Sequence, residues 1–506
     1  MSEWLWETDI LIEAMRARPM GGPLPEGVTG ISIDTRTLKR GEAFFAIAGD
    51  RFDGHDFLTA ASKAGSALHV VSERKLAALG RVQSPMLVVD DVLAALGRLA
   101  QAARARARAR IVAVTGSVGK TTTKEALRHG LSACGTVHAS AASFNNHWGV
   151  PLSLARLPAD ARFAVFEIGM NHPDEIRPLV KLVRPHAAMV TLIAPAHLGH
   201  FKDLDGIADA KAEIFEGIVP GGTALVNADD PKCMRLAGAA RAAGVSDVRT
   251  FGEAPGADFR LVSFTSDGEG ARMEAEIGEK PVSLHLPMGG RHIAQNILAV
   301  LGSADILGAD VATVAERLST WRAVKGRGER HKLTMPGGGA VTLIDDSYNA
   351  NPASMRAALD TVARIPLGEG GRKIAVLGDM KELGGHSQAM HAELAEPILA
   401  AGIDKLFMVG EEMKALDEAV AGRLSASWHE DAAGVADDLM ASMRAGDAIV
   451  VKGSRSIGLE KVVEALRGRF GAEAEEGPAK PEPNAPIEIS EPSATETDEN
   501  QESPSR

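Results

Sequence analysis

The sequence predicts an α/β protein of three domains, each built on a mostly parallel sheet. Three observations carry that expectation. At 506 residues the chain is too long for one ordinary core. Short apolar runs of strand length alternate with helical patterns, the rhythm of parallel strands joined by crossover helices. Glycine is frequent, at 53 residues, while aromatics make up only 4%, which suits many tight turns in α/β units better than an all-β design.

Residues 1–108 read as a small α/β unit. Strands are expected at Gly30–Asp34, Ala43–Ile47 and Met86–Val89, with helices near residues 56–65 and from Val92 to about Arg106. The Arg-Ala alternation through Arg104, Arg106, Arg108 and Arg110 makes no stripe on a helix, so it reads as a solvated helix end and linker. Residues 109–324 form a central unit that opens on the buried-looking strand Arg110–Thr115. Its further strands are expected at Phe163–Ile168, Ala187–Ile193 and Thr223–Asn227, with a small antiparallel insertion between about Asp258 and Leu286 and a helix at His292–Leu307. Residues 325–470 repeat the alternation at Val341–Ile344, Lys373–Leu377, Lys405–Val409 and Ala448–Val451, a Rossmann-like doubly wound pattern. From 471 to 506 the chain turns to Glu, Pro, Ser and Thr. Such a stretch lacks the apolar surface to offset its ordering entropy and reads as a disordered tail.

Composition excludes several classes. A net charge of −12 argues against a general nucleic-acid binder. No run approaches the length of a membrane span, and the acidic start Met1–Glu7 lacks the basic flank of a signal peptide, so no stable membrane anchor is expected. The two cysteines, Cys134 and Cys233, have no metal-ligand spacing and fit a reducing, cytoplasmic setting.

The strongest local signal is Thr115-Gly116-Ser117-Val118-Gly119-Lys120-Thr121-Thr122, between a buried strand and a helix. Glycines let backbone N–H groups approach phosphates, Lys120 reaches the terminal phosphates, and the Thr121 hydroxyl suits Mg²⁺. The usual P-loop has a glycine where this chain has Val114. Glu167 ends the strand in Phe163–Asn171, where α/β sheets bind ligands. An acid there is often only solvent-facing, but the phosphate loop upstream favours a metal-holding role. His197 and Lys211, taken alone, read as a packed or surface histidine and a solvated lysine.

Taken together, these motifs resemble the Mur ligase family, which shares its architecture with folylpolyglutamate synthetases. The series runs through Gly119-Lys120-Thr121, Phe144-Asn145-Asn146 with Gly149-Val150-Pro151, and Glu167–Asn171. It continues through His197, Lys211 with Glu213, Asn227–Asp230, and Gly290-Arg291-His292 with Asn296. Ile344–Pro352, Val376–Gly384 and Val451–Arg455 have the form of the member that adds D-alanyl-D-alanine. Ser143, Ile293 and Thr35 depart from the family's usual Asn, Asn and Ser.

The resemblance implies specific roles. Residues Thr115, Gly116, Ser117, Val118, Gly119, Lys120, Thr121 and Thr122 would cradle ATP, with Asn296 on adenine and Arg327 and Asp346 closing over phosphates and ribose. Thr121 and Glu167 would hold one Mg²⁺; His197 and Lys211, the latter used by the family as a carbamate, would hold a second. Lys120, Glu167, His197, Lys211 and Arg327 are then the catalytic set. Asp34, Thr35, Arg36, Asp50, Asp53 and His55 resemble the stretches of the first domain that hold the UDP end of a UDP-N-acetylmuramoyl-tripeptide. Asn145, Asn146, Asn349 and Asn351 complete the substrate contacts.

The implied reaction is ATP-dependent amide formation with D-alanyl-D-alanine through an acyl phosphate, carried out by a monomer. No side-chain nucleophile is needed. A sibling ligase or a folylpolyglutamate synthetase adding one amino acid is disfavoured by Asp345–Pro352. A nucleotide-switched binding protein leaves the first and third domains unexplained, and a non-catalytic scaffold leaves the retained Lys120, Glu167, His197 and Lys211 unexplained.

Overall fold

A computed structural model of the chain describes residues 4–49, 52–79, 84–141, 144–196, 198–266 and 270–473. Asp50, Ser143, His197 and the tail beyond Glu473 lie outside the described residues.

The first domain holds a five-stranded sheet in the order Arg18–Met20, Met86–Val89, Leu68–Ser72, Glu42–Phe45, Gly30–Ser32. Only the first of these strands runs antiparallel to its neighbour. The helix Val92–Arg106 covers one face. Asp91 caps it by accepting from Ala94 N at 2.7 Å, and Val92, Ala95, Leu96, Leu99, Ala100 and Ala103 form its buried stripe. The solvated reading of its arginine-rich end holds for the exposed Arg108 and Arg110 and fails for two others. Arg104 donates to the Val183 and Arg184 carbonyls, each at 2.7 Å, and so satisfies a helix terminus in the next domain. Arg106 lies over the Trp6 ring, 3.3 Å from its centroid, and burial lowers its pKa to about 10.

The central sheet has nine strands in the order Lys280–Leu286, Ala271–Ile277, Phe259–Ser266, Asp247–Gly252, Thr223–Asn227, Ala187–Val190, Arg110–Thr115, Phe163–Glu167, Val137–Ala139. Apolar cores pack on both faces, which is why Arg110–Thr115 reads as a continuous apolar run instead of alternating. From Arg110–Thr115 the chain goes first to the edge strand Val137–Ala139 and later to Ala187–Val190 on the other side. That divergence opens a crevice at the carboxyl ends of these strands. The antiparallel stretch is not a separate module: Phe259–Ser266 pairs parallel to the sheet through Phe251 and Gly252, and the next two strands extend it. Its buried-exposed alternation, clearest in Ala271–Ile277, marks a sheet covered on one face.

The helix Gly149–Ala155 joins the first two domains. Leu152 and Ala155 sit in the same core as Trp6, Leu11, Val70 and Leu99. Trp6 Nε1 donates to Ala155 O at 2.8 Å, and Arg156 Nε donates to Ile31 O at 2.7 Å.

The third domain has seven strands, ordered Ser425–His429, Lys405–Val409, Lys373–Gly378, Ala448–Lys452, Ala340–Asp346, Glu329–Thr334, Ala472–Glu473. The first five are parallel and the last two pairings are antiparallel. The stretch expected to be without structure from residue 471 therefore begins with a two-residue strand, held by backbone pairing that composition does not report.

Candidate active site

The turn after Arg110–Thr115 carries the glycine-rich loop Thr115–Thr122. Gly119 has φ +87°, a left-handed conformation, and a Cβ there would lie 2.7 Å from Asn296 Oδ1. Gly116, at φ +150°, would drive a Cβ into the Thr191 hydroxyl. Glycine is required twice, once for conformation and once for space. Thr191 Oγ1 ties the loop down by donating to Val118 O at 2.5 Å. The helix Lys120–Leu131 starts immediately after the loop, so its free N–H groups and positive end face the crevice. The hydroxyls of Thr115 and Ser117 are buried without hydrogen-bond partners among the described residues. That unmet polarity beside a helix N-terminus fits a phosphate chain.

Lys120 is half-buried, not an exposed loop lysine, and its Nζ donates to Gly116 O at 2.7 Å. Burial lowers its pKa, Glu167 opposes that, and the positive charge of Arg327 adds to it. Glu167, 1% exposed, accepts from Thr121 Oγ1 at 2.9 Å and from Asn145 Nδ2 at 2.7 Å. An acidic oxygen beside a threonine hydroxyl is a hard donor pair of the kind Mg²⁺ selects.

The opposite wall comes from the third domain. Arg327 stacks on Tyr348, 4.3 Å from the ring centroid, and Arg455 covers the same ring at 5.1 Å. Lys452, 2% exposed, donates to Asp346 Oδ2 at 2.7 Å and Asn349 O at 2.9 Å. Burial raises the Asp346 pKa and the Lys452 charge works against it. Asn351 caps the helix Pro352–Ala363 in a capping box with Ser354.

The two walls enclose a cavity of about 260 Å³. Ser117, Val118, Gly119, Lys120, Thr121, Thr122, Asn145, Glu167, Asn296, Arg327, Asp346, Asn349 and Asn351 all line it. Thr115 and Gly116 do not line it; they set the loop's conformation from below. Asn146 is also absent from the lining, because its Oδ1 accepts from Trp148 N and Gly149 N and so starts the helix Gly149–Ala155.

Lys211 overturns the solvated-lysine reading. It is 1% exposed, and no hydrogen bond or ion pair engages its ammonium among the described residues. Burial, then the charge of Lys120, pushes its pKa well below the usual lysine value. Glu213 serves the fold instead, accepting from Asp174 N at 2.7 Å and Arg177 N at 2.9 Å where the helix Ile176–Val183 begins.

The first-domain residues lie outside the cavity and engage one another. Arg36 grips both oxygens of Asp34, while Thr35 lies between them half-buried. His55 accepts from Ser72 N through Nε2, so its Nδ1 carries the proton and donates to Asp53 at 2.6 Å. Asp53 also pairs with Lys75 at 2.7 Å. Asp50 and His197 lie outside the described residues.

Sequence reasoning missed Lys124, which is fully buried with Nζ 2.9 Å from Ser140 O and 3.9 Å from Glu167 Oε2. Nothing local distinguishes it from a surface lysine. It also missed Lys452 as a site residue, although Lys452 lies within the Val451–Arg455 motif.

Three family descriptions match in chain order: the Mur ligase family catalytic domain at residues 27–104, the Mur ligase middle domain at 114–304, and the Mur ligase glutamate ligase domain at 326–455. The chain belongs to the Mur ligase family. Among curated relatives of this Mur ligase, the UDP-N-acetylmuramoyl-tripeptide--D-alanyl-D-alanine ligase of Escherichia coli (strain K12) is 37% identical over 439 residues, covering 86% of this chain and 93% of that protein. A crystal structure of MurF from Acinetobacter baumannii superposes with a TM-score of 0.79 at 30% identity, over 92% of this chain and 99% of that one. MurF ligase from Thermotoga maritima in complex with ADP gives 0.72 at 26% identity, over 87% of this chain and 97% of that one. The three-domain architecture of the Mur ligases is the architecture of this chain.

Proposed function

We propose that this Mur ligase uses ATP to join D-alanyl-D-alanine to a UDP-N-acetylmuramoyl-tripeptide, giving the pentapeptide, ADP and phosphate for peptidoglycan synthesis. The observation that carries the reading is the single cavity in which the phosphate loop and Glu167 face Arg327, Asp346 and Lys452 across two domains. Relatives of that name and an ADP-bound structural neighbour support it.

The chemical problem is to bring a carboxylate and a terminal phosphate together although both are anions. Lys120, the loop amides and Arg327 supply positive charge on both sides of the transferring phosphoryl group. Thr121 and Glu167 would hold Mg²⁺, which when bound neutralises charge on the phosphate oxygens. The substrate carboxylate becomes an acyl phosphate, the dipeptide amine attacks its carbonyl carbon, and phosphate leaves. Asn145, bonded to Glu167, orients that carboxylate. Asn349 and Asn351 stand on the wall from which the dipeptide enters, and closure of the third domain keeps water from the acyl phosphate. Asp34, Thr35, Arg36, Asp50, Asp53 and His55 mark the region of the first domain that takes the UDP end.

In this reading Lys211 would be a carbamate, and it and His197 would hold a second Mg²⁺. A buried cation without a counter-ion is untenable, and burial favours the neutral amine that adds carbon dioxide, releasing a proton. The product carries an anionic oxygen pair of the type Mg²⁺ takes. In this reading the monomer is the working unit. A cytoplasmic setting agrees with the two free cysteines. No helix among the described residues is long and apolar enough to cross a membrane.

The test is turnover of UDP-N-acetylmuramoyl-tripeptide with ATP and D-alanyl-D-alanine, the product mass being read directly. A mass gain of the dipeptide less water is expected. Incorporation of a single amino acid in its place would assign the chain to a sibling activity.

A further inference from the structure

The face of the third sheet opposite the nucleotide cavity carries a second cluster of ligating groups. Arg330 and Asp346 line the cavity, so their neighbours Glu329, His331 and Asp345 project to the other face. Glu329 and Asp345 are direct register partners in the antiparallel pair Glu329–Thr334 and Ala340–Asp346. Two carboxylates so placed repel each other. His331, on the same face, is 3% exposed, and neither ring nitrogen has a hydrogen-bond partner among the described residues; Glu329 Oε2 likewise accepts no hydrogen bond there and meets the His331 ring at ion-pair range. Asp345 is fully buried. Asp345 Oδ1 accepts from Ser347 Oγ at 2.6 Å and Ser347 N at 3.2 Å, so the unmet polarity is that of His331 and Glu329, and the nearby cations do not supply it. Lys325 is engaged by Glu464 at 2.9 Å, and Arg467 acts on Glu329 only through its charge.

Glu329 Oε2 stands 3.4 Å from His331 Nε2, and one ligand atom from each of the three residues lies within 4.8 Å of the others. Bonds of about 2.0–2.1 Å to a tetrahedral ion put neighbouring ligand atoms about 3.4 Å apart. We infer that Glu329, His331 and Asp345 form a binding site for one divalent transition-metal ion of the zinc type, separate from the nucleotide's magnesium. The mixed imidazole and carboxylate donors favour such an ion over Mg²⁺ or Ca²⁺. Asp345 also accepts from Gly326 N at 3.1 Å and, through its carbonyl, from Gly328 N at 2.8 Å. An ion on Asp345 thus braces the segment that carries Arg327, and its role is positional.

The experiment uses full-length protein stripped with a chelator and then held in excess MgCl₂ without nucleotide. ZnCl₂ is titrated calorimetrically, CoCl₂ is followed by visible absorption, and thermal unfolding is recorded with and without Zn²⁺. One equivalent of Zn²⁺ should bind and raise the unfolding midpoint, and Co²⁺ should show ligand-field bands. His331→Gln and Glu329→Gln should each weaken binding by about a hundredfold or more, while Thr121→Ala should leave it intact. Glu329→Gln, at a part-exposed position, reports even where His331→Gln fails to fold. No binding, binding indifferent to Glu329→Gln, or binding abolished by Thr121→Ala would each overturn the assignment. So would a midpoint that responds to pH through His331 and never to metal, since a proton would then be the occupant.

Discussion

The central domain meets its two neighbours in opposite ways. Toward the first domain it sends Leu152 and Ala155 into a shared apolar core, closed by the Trp6 and Arg156 hydrogen bonds. Toward the third it presents a polar cavity, a backbone bond from Gly199 N to Glu382 O at 3.1 Å, and the partly buried Met390. The linker there has Gly326 and Gly328 at positive φ. Separating the first pair exposes apolar surface; separating the second mainly hydrates polar groups. The first interface is therefore part of the fold, and the second is of the polar kind along which domains move.

Substitutions can break that contrast. Leu152→Ala should cost about 2–5 kcal/mol of stability, as core truncations do. The first two domains should still unfold in one transition by calorimetry, and separate transitions would refute the shared core. Lys120→Ala should lower kcat at least about a hundredfold, roughly 2.7 kcal/mol. Its thermal midpoint should hold, since the side chain makes one internal hydrogen bond. Lys211→Ala should lose activity by a factor on the order of a hundred. Acetate or formate should restore part of the rate and amines should not; rescue by amines would show that the site requires a cation.

The remaining effects are smaller. Arg106→Ala should cost about 1–2 kcal/mol through the lost stacking on Trp6, read as a lower midpoint with unchanged kcat. A chain ending at Glu473 should match the full chain in midpoint and kinetics. One ending at Gly471 gives up the Ala472–Glu473 pairing, and any difference between the two truncations measures that strand.

The legible parts were those whose signal is local. The strand Arg110–Thr115 and the helix from Val92 to about Arg106 were readable, because an apolar run or stripe is written in nearby positions. The glycine-rich turn was readable because Gly116 and Gly119 stand where a strand must pass sharply into the helix Lys120–Leu131. Lys211 was singled out as a site residue only by the family resemblance, and Lys124 and Lys452 not at all, since burial of a lysine depends on distant elements closing over it. Arg104 and Arg106 failed for the same reason: their partners, Val183, Arg184 and Trp6, are far away in sequence. The first domain's Asp53 and His55 were found as a motif, but their mutual bond and the tie to Ser72 appear only in the folded chain.

Tyr348 is the chain's single tyrosine, and its ring, on the cavity wall, is approached by the guanidinium groups of both Arg327 and Arg455. Fluorotyrosine incorporated in place of tyrosine would therefore give one ¹⁹F resonance for the whole protein. Because a cation over an aromatic face shifts such a resonance, and Arg327 is the residue expected to turn toward phosphate, the signal would report nucleotide engagement and domain closure without any engineered label.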